Sequence, residues 1–231
     1  MTDPRDLARR TTDAVADVVA GAKPKLRGWL HAVTSPLALA AGIVLVSLAP
    51  STSARLAAGA FALTSFLLFT TSAIYHRGNW SPAVERRLKR MDHANIFLLI
   101  AGSYTPFTVL ALKGDPRIAI FAAVWATALF GVAFRVLWVG APRWSYVPLY
   151  IGLGWAMAFV FPQLLHGAGV AAFVLVAVGG LLYTVGGLVY GIKRPNPSPR
   201  WFGFHEIFHT CTIAAFICQY VAASFVVYRA A

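Results

Sequence analysis

The sequence predicts an all-α, polytopic membrane protein: seven transmembrane helices in a bundle, with the N-terminus cytoplasmic and the C-terminus outside. Three observations carry that prediction. Of 231 residues, 58% are hydrophobic and only 12% charged, with a mean hydropathy of +0.67, the composition of a chain that lives in lipid. The apolar residues gather into seven runs, roughly 31–49, 55–76, 93–112, 117–138, 145–164, 168–191 and 204–228, each near the ~20 residues a helix needs to cross the hydrocarbon. Sixteen of the twenty Lys and Arg residues fall on alternate sides of those runs together with the N-terminal segment, against four (Arg55, Lys113, Arg117 and Arg229) on the other; basic residues mark the cytoplasmic face.

Taken in order, residues 1–30 form a cytoplasmic N-terminal segment and 31–231 one seven-helix domain. The segment carries charges of both signs and a weak helical stripe of Leu7, Ala14, Val15, Val18 and Val19, read as either lying on the membrane surface or mobile. It has no apolar core with a small-residue cleavage site, so the first span is expected to serve as the targeting signal. That span begins somewhere between Trp29 and Pro36. Residues 77–91 hold Ser81 and Pro82 ahead of Glu85, Arg86, Arg87, Lys89 and Arg90, a capped basic helix whose charges face solvent or lipid headgroups. Pro106 and Pro162 are expected to kink their helices. Gly179, Gly180, Gly186, Gly187 and Gly191 in span six are read as packing residues, and Lys193 to Pro197 as a stop and turn. No fixed-period repeat or second domain is visible.

A net charge of +12 raises nucleic acid as a partner. The cations, however, sit between apolar runs and form no aromatic-interleaved stripe, so topology explains them and no nucleic-acid partner is expected. Membrane lipids are the expected partners, in a bacterial inner membrane or plasma membrane. Cys211 and Cys218 lie seven residues apart, roughly 10 Å along one helix, too far to pair. Both are read as packing residues, and Cys211 lies roughly 240° around the helix from His205.

The chemistry centres on His205-Glu206-Ile207-Phe208-His209. On a helix the two imidazoles share one face, and ionisable groups at the mouth of a membrane span usually serve a function. The pair is therefore read as half of a zinc site, against the plainer reading of two core histidines that satisfy each other. Topology supplies the third ligand. Span two runs inward, which brings His76 to the cytoplasmic end with Ser72 one turn deeper. Spans three and seven start there, with Asp92 and with His205 and His209. Three imidazoles with a water or carboxylate is the ligand set of a catalytic zinc. Asp92 is read as a site residue or as the N-cap of span three, and the two roles can coexist. Ser72 holds a water or bonds back to its own helix. His31, His93 and His166 are taken as interfacial.

At these residues the chain resembles the haemolysin III branch of the progestin and adiponectin receptor group. The resemblance runs from Leu26-Arg27-Gly28-Trp29-Leu30-His31 through Ser72 to His76, Asp92-His93-Ala94, Ala101 to Phe107 and Gly180 to Gly186, and ends at Phe204 to His209. It implies seven helices around a zinc held by His76, His205 and His209, with Asp92 and Ser72 near a bound water. Related receptors are linked to ceramide hydrolysis, and bacterial relatives to haemolysis and membrane lipid homeostasis.

The resulting expectation is a zinc-dependent hydrolase of a lipid amide or ester, with Asp92 as the proton acceptor. The alternatives are a cytolytic pore former, a lipid-state sensor with structural zinc, or an intramembrane metalloprotease in which Glu206 is the base of a His-Glu-x-x-His motif.

Overall fold

The structure, a computed structural model, describes residues 24–230. Among them are α1 (Trp29–Ser47), α2 (Thr52–Arg77), α3 (Pro82–Leu110), α4 (Gly114–Leu137), α5 (Arg143–Gly154), a 3₁₀ turn (Ala156–Val160), α6 (Phe161–Ala168), α7 (Val170–Ile192) and α8 (Phe204–Tyr228). Together α5, the turn and α6 make one span, so the described residues cross a membrane seven times by length and composition. The N-terminal stripe from Leu7 to Val19 lies outside the described residues.

The bundle is arranged around α3, which packs against α2, α4, α5 and α8, while α8 also packs against α1, α2 and α7. Its apolar residues Phe97, Leu99, Ala101 and Phe107 are all buried. Lipid can solvate the outer faces, and large apolar side chains stand exposed there, among them Leu129 and Phe130 on α4 and Leu188 on α7. Polar side chains inside α3 find acceptors without water: Ser103 donates to Ile100 O, Thr105 to Ala101 O and Thr108 to Tyr104 O. Asn95 Nδ2 reaches across to Leu67 O and Thr71 Oγ1 of α2. Such closure is what hydrocarbon demands of buried polar groups.

Small residues set the closest approaches. On α7, a Cβ at Gly179 would come within 2.9 Å of Gln219 Nε2, and one at Gly186 within 2.9 Å of Cys211 Cβ, so these two glycines pack α7 onto α8 as the sequence suggests. Cys211 and Cys218 are both free thiols.

In the course of its helices the structure corrects three sequence expectations. The basic helix after Pro82 is no separate surface element but the first turns of α3, which continues unbroken to Leu110. Hydropathy finds the start of the apolar run, not the start of the helix. Asp92 therefore sits inside α3 and is not its N-cap, a position held by Ser81. Finally, Pro162 does not kink a continuous helix. It stands in the first turn of α6, after the span has already broken into the 3₁₀ turn.

That break would strand backbone groups in the membrane interior. Tyr104 of α3 satisfies two of them: its hydroxyl donates to Gly154 O at 2.6 Å and accepts from Met157 N–H at 3.1 Å. Trp155 Nε1 donates to Thr184 on α7 at 2.9 Å. Tyr104→Phe leaves both Gly154 O and Met157 N–H without that partner, and should cost about 1–3 kcal/mol, read as a lower unfolding midpoint in detergent. An unchanged midpoint would mean that the break is satisfied in some other way.

Candidate metal centre

The site begins with the capping of α8. Glu206, in its first turn, is fully buried; Oε2 accepts the Gly203 N–H at 2.8 Å and Oε1 accepts from Arg27 Nε at 2.6 Å. One oxygen closes the helix N-terminus and the other ties it to the segment before α1. That segment is also held by backbone bonds, Lys25 N–H to Arg200 O at 3.0 Å and Leu26 N–H to Trp201 O at 3.3 Å. At Gly28 (φ 80°) a side chain would meet His76 Cβ at 2.8 Å, a left-handed, tightly covered position that only glycine fits. The segment thus seals the end of α2 against the start of α8.

With α8 fixed in this rotation, His205 and His209 face His76. One nitrogen of each of the three rings lies within 4.8 Å of the others, and all three residues are buried. His205 Nε2 and His76 Nε2 are 3.2 Å apart, close to the ~3.3 Å that two ligands at zinc–nitrogen bond length subtend on a tetrahedral ion. His209 Nδ1 is buried with no hydrogen-bond partner. The three imidazoles, two of them within hydrogen-bond distance of each other, form a cluster that could hold a metal ion.

Asp92 and Ser72 complete the arrangement. Asp92 Oδ2 is 3.8 Å from His76 Nε2, and Ser72 lines the same cavity as this carboxylate. Both residues are buried and line a narrow apolar slot of about 80 Å³. The slot reaches from His205 and His209 to Tyr104 and Gln219. Since Gln219 is ten residues beyond His209 on α8, the slot runs roughly 15 Å along the bundle.

A family model described as Haemolysin-III related matches residues 20–220. The chain belongs to the haemolysin-III-related family. Within that family it is 31% identical over 163 residues to Hemolysin-3 of Bacillus cereus, covering 69% of this chain and 74% of the relative. It is 32% identical over 145 residues to the Hemolysin-3 homolog of Bacillus subtilis (strain 168), covering 62% and 68%. Family and spans together make it a multi-pass membrane protein.

Among the residues that sequence reasoning singled out, His76, His205, His209, Asp92 and Ser72 come together. His166 stands exposed in the last turn of α6, away from the cluster. The interfacial reading fails for the other two histidines of this haemolysin-III-family chain. His31 is 2% exposed and stacks on His209 with ring centroids 3.8 Å apart. His93 is buried against the guanidinium of Arg135. No helical spacing links His31 to another histidine, so no single-helix pattern could have found the stack.

One metal ion per chain is expected in metal analysis of the purified protein, and His205→Ala and His209→Ala should each remove most of it. Full occupancy in the double variant would contradict the centre. Glu206→Gln should keep the metal yet lower stability by about 1–3 kcal/mol through its weakened contact with Arg27, a loss visible in thermal unfolding.

Proposed function

We propose that this protein is a zinc-dependent hydrolase of a lipid amide or ester, acting in membrane lipid homeostasis. The observation that carries the reading is the meeting of three imidazoles, a buried carboxylate and an apolar slot within one membrane bundle. His76, His205 and His209 would hold the metal; three histidines that leave a coordination position open are typical of catalytic rather than structural zinc. When bound, zinc supplies a Lewis acid that polarises a carbonyl and acidifies water to near neutral pH.

The chain's own groups do the remaining work. The slot takes an acyl chain and excludes bulk water, so the carbonyl at the head of that chain comes to rest beside Asp92. Asp92 accepts a proton from the attacking water and returns it to the leaving group. The Ser72 hydroxyl holds the carboxylate in place, and the His31 ring, flat against His209, holds that imidazole. Glu206 is a poor base here, because both of its oxygens are engaged, by Gly203 N–H and by Arg27. That commitment also weighs against a metalloprotease. The names of the Bacillus relatives favour a cytolytic reading, but the slot is narrow and apolar, whereas a conducting path needs polar lining.

Asp92→Asn should lower lipid hydrolysis about 10²–10⁴-fold with zinc content unchanged, while Glu206→Gln retains most activity per zinc-loaded molecule. Product release from reconstituted protein reads both. Loss in Glu206→Gln alone would transfer the base to Glu206. The charge distribution further supports a metal centre on the cytoplasmic side: a reporter in the turn at residues 78–81 should lie inside and one fused after Ala231 outside. The reverse result would place the centre at the outer face.

A further inference from the structure

A second concavity lies beside the metal centre, and the hydrolase reading leaves it unused. It is a surface vestibule of about 670 Å³ at the same end of the bundle, formed by the ends of α2, α4 and α7 and the starts of α3, α5 and α8. Five cations line it, Arg27, Lys89, Arg135, Arg143 and Lys193, and no carboxylate among the described residues does.

Topology accounts for exposed Lys and Arg at one end of a bundle. It does not account for Arg135, which is 1% exposed. The Arg135 guanidinium meets His93 Nδ1 and the carbonyls of Trp138 and Val139, above the Tyr146 ring at 4.2 Å, and no carboxylate among the described residues. Its Nε is buried with no partner. Arg143 repeats the arrangement: it lies over the Tyr190 ring at 4.5 Å, and its Nη1 is buried and unpartnered. Among the described residues the one Lys or Arg paired with a carboxylate is Arg27, with Glu206. Among the described residues the other four cations of the vestibule have no carboxylate partner. Clustered, partly desolvated cations without a counter-charge are costly, and arginines backed by aromatic rings present their donors in the fork that matches phosphate oxygens.

We propose that the vestibule binds the phosphate headgroup of a membrane phospholipid. His93, Tyr146, Tyr190 and His205 line both the vestibule and the apolar slot, so the two spaces meet at the metal centre. A molecule with an anionic head and an acyl chain occupies both, whereas free phosphate uses only one. The ester carbonyl of such a lipid lies between head and chain, at the junction where Asp92 and the histidines stand. Naming a phospholipid as the molecule cut rests on the hydrolase reading above; the headgroup site does not. In that reaction the oxygen of water bonds to the acyl carbon and the acyl carbon–oxygen bond breaks. Asp92 carries the proton to the leaving oxygen, which gives a fatty acid and a lysophospholipid.

The test is binding to the purified full chain in neutral detergent, by native mass spectrometry or tryptophan fluorescence. Three probes are compared: dioctanoyl phosphatidate, dioctanoylglycerol, which lacks the phosphate, and inorganic phosphate. Phosphatidate should bind about tenfold or more tighter than dioctanoylglycerol, and equimolar inorganic phosphate should not displace it. The double variant Arg143→Gln with Lys193→Gln should lose that advantage, while Arg86→Gln with Arg87→Gln, on the exposed turns of α3, keeps it. Arg135→Gln should lose it too, but Arg135 is buried and its replacement also perturbs packing, so the first pair carries the test. Equal affinity for the two lipids, or equal loss in the Arg86 and Arg87 variant, would overturn the proposal. Displacement by inorganic phosphate as effective as by lipid would make the vestibule a free-anion site and overturn the lipid assignment. Phosphatidate binding without any hydrolysis supports the headgroup site and removes a phospholipid as the molecule cut.

Discussion

The Glu206 carboxylate, fully buried in the first turn of the last helix, sets the geometry on which the rest of the site depends. With one oxygen on its own helix terminus and the other on Arg27, it fixes the rotation of α8 about its axis. Residues one before and three after it then point away by roughly 100° and 300°, which puts His205 and His209 together on the face turned to α2. The same pair draws the segment before α1 over the end of α2, where Gly28 lets the backbone lie directly against His76. The carboxylate that a zincin motif would use as its base is here engaged by the helix terminus and Arg27, between the two histidines of the cluster.

The fold was legible because the bilayer reduces it to a length and a polarity. Seven apolar runs of spanning length can only be helices, since open backbone is not tolerated in hydrocarbon. The parity of the spans brings His76, Asp92, His205 and His209 to one end, and the His205–His209 spacing names the face. What hydropathy cannot see is a helix that continues after its apolar stretch ends. Residues 82–91 are too polar to count as membrane, yet they propagate the helix that begins at Pro82, and Asp92 consequently lies three turns inside it. Its carboxylate is turned to Ser72 and His76 rather than spent on its own N-terminus.

His31 and Arg135 were illegible for a different reason. Each acquires its meaning from a residue far away in sequence: His31 from His209 across the bundle, Arg135 from His93 on the neighbouring helix and Tyr146 on the next. Periodicity reports which residues share a helix face, not which face meets which, so cross-helix stacks and buried guanidiniums emerge only with tertiary packing. The broken fifth span belongs with them. Gly152 and Gly154 mark a weak point, but that the break is tolerated depends on Tyr104 from α3.

Polarity is graded along the bundle rather than scattered through it. Cations and aromatic rings occupy the vestibule, imidazoles and one carboxylate the junction, and apolar side chains the slot beyond. A peptide substrate would need an extended groove with exposed backbone acceptors on both sides of the metal, and the narrow apolar slot offers it none. A lipid has the same grading as the site, charged at one end, with a carbonyl next and hydrocarbon after it. The order of these groups along the bundle, more than any single residue, is what supports the proposal that a lipid places its reactive bond beside Asp92.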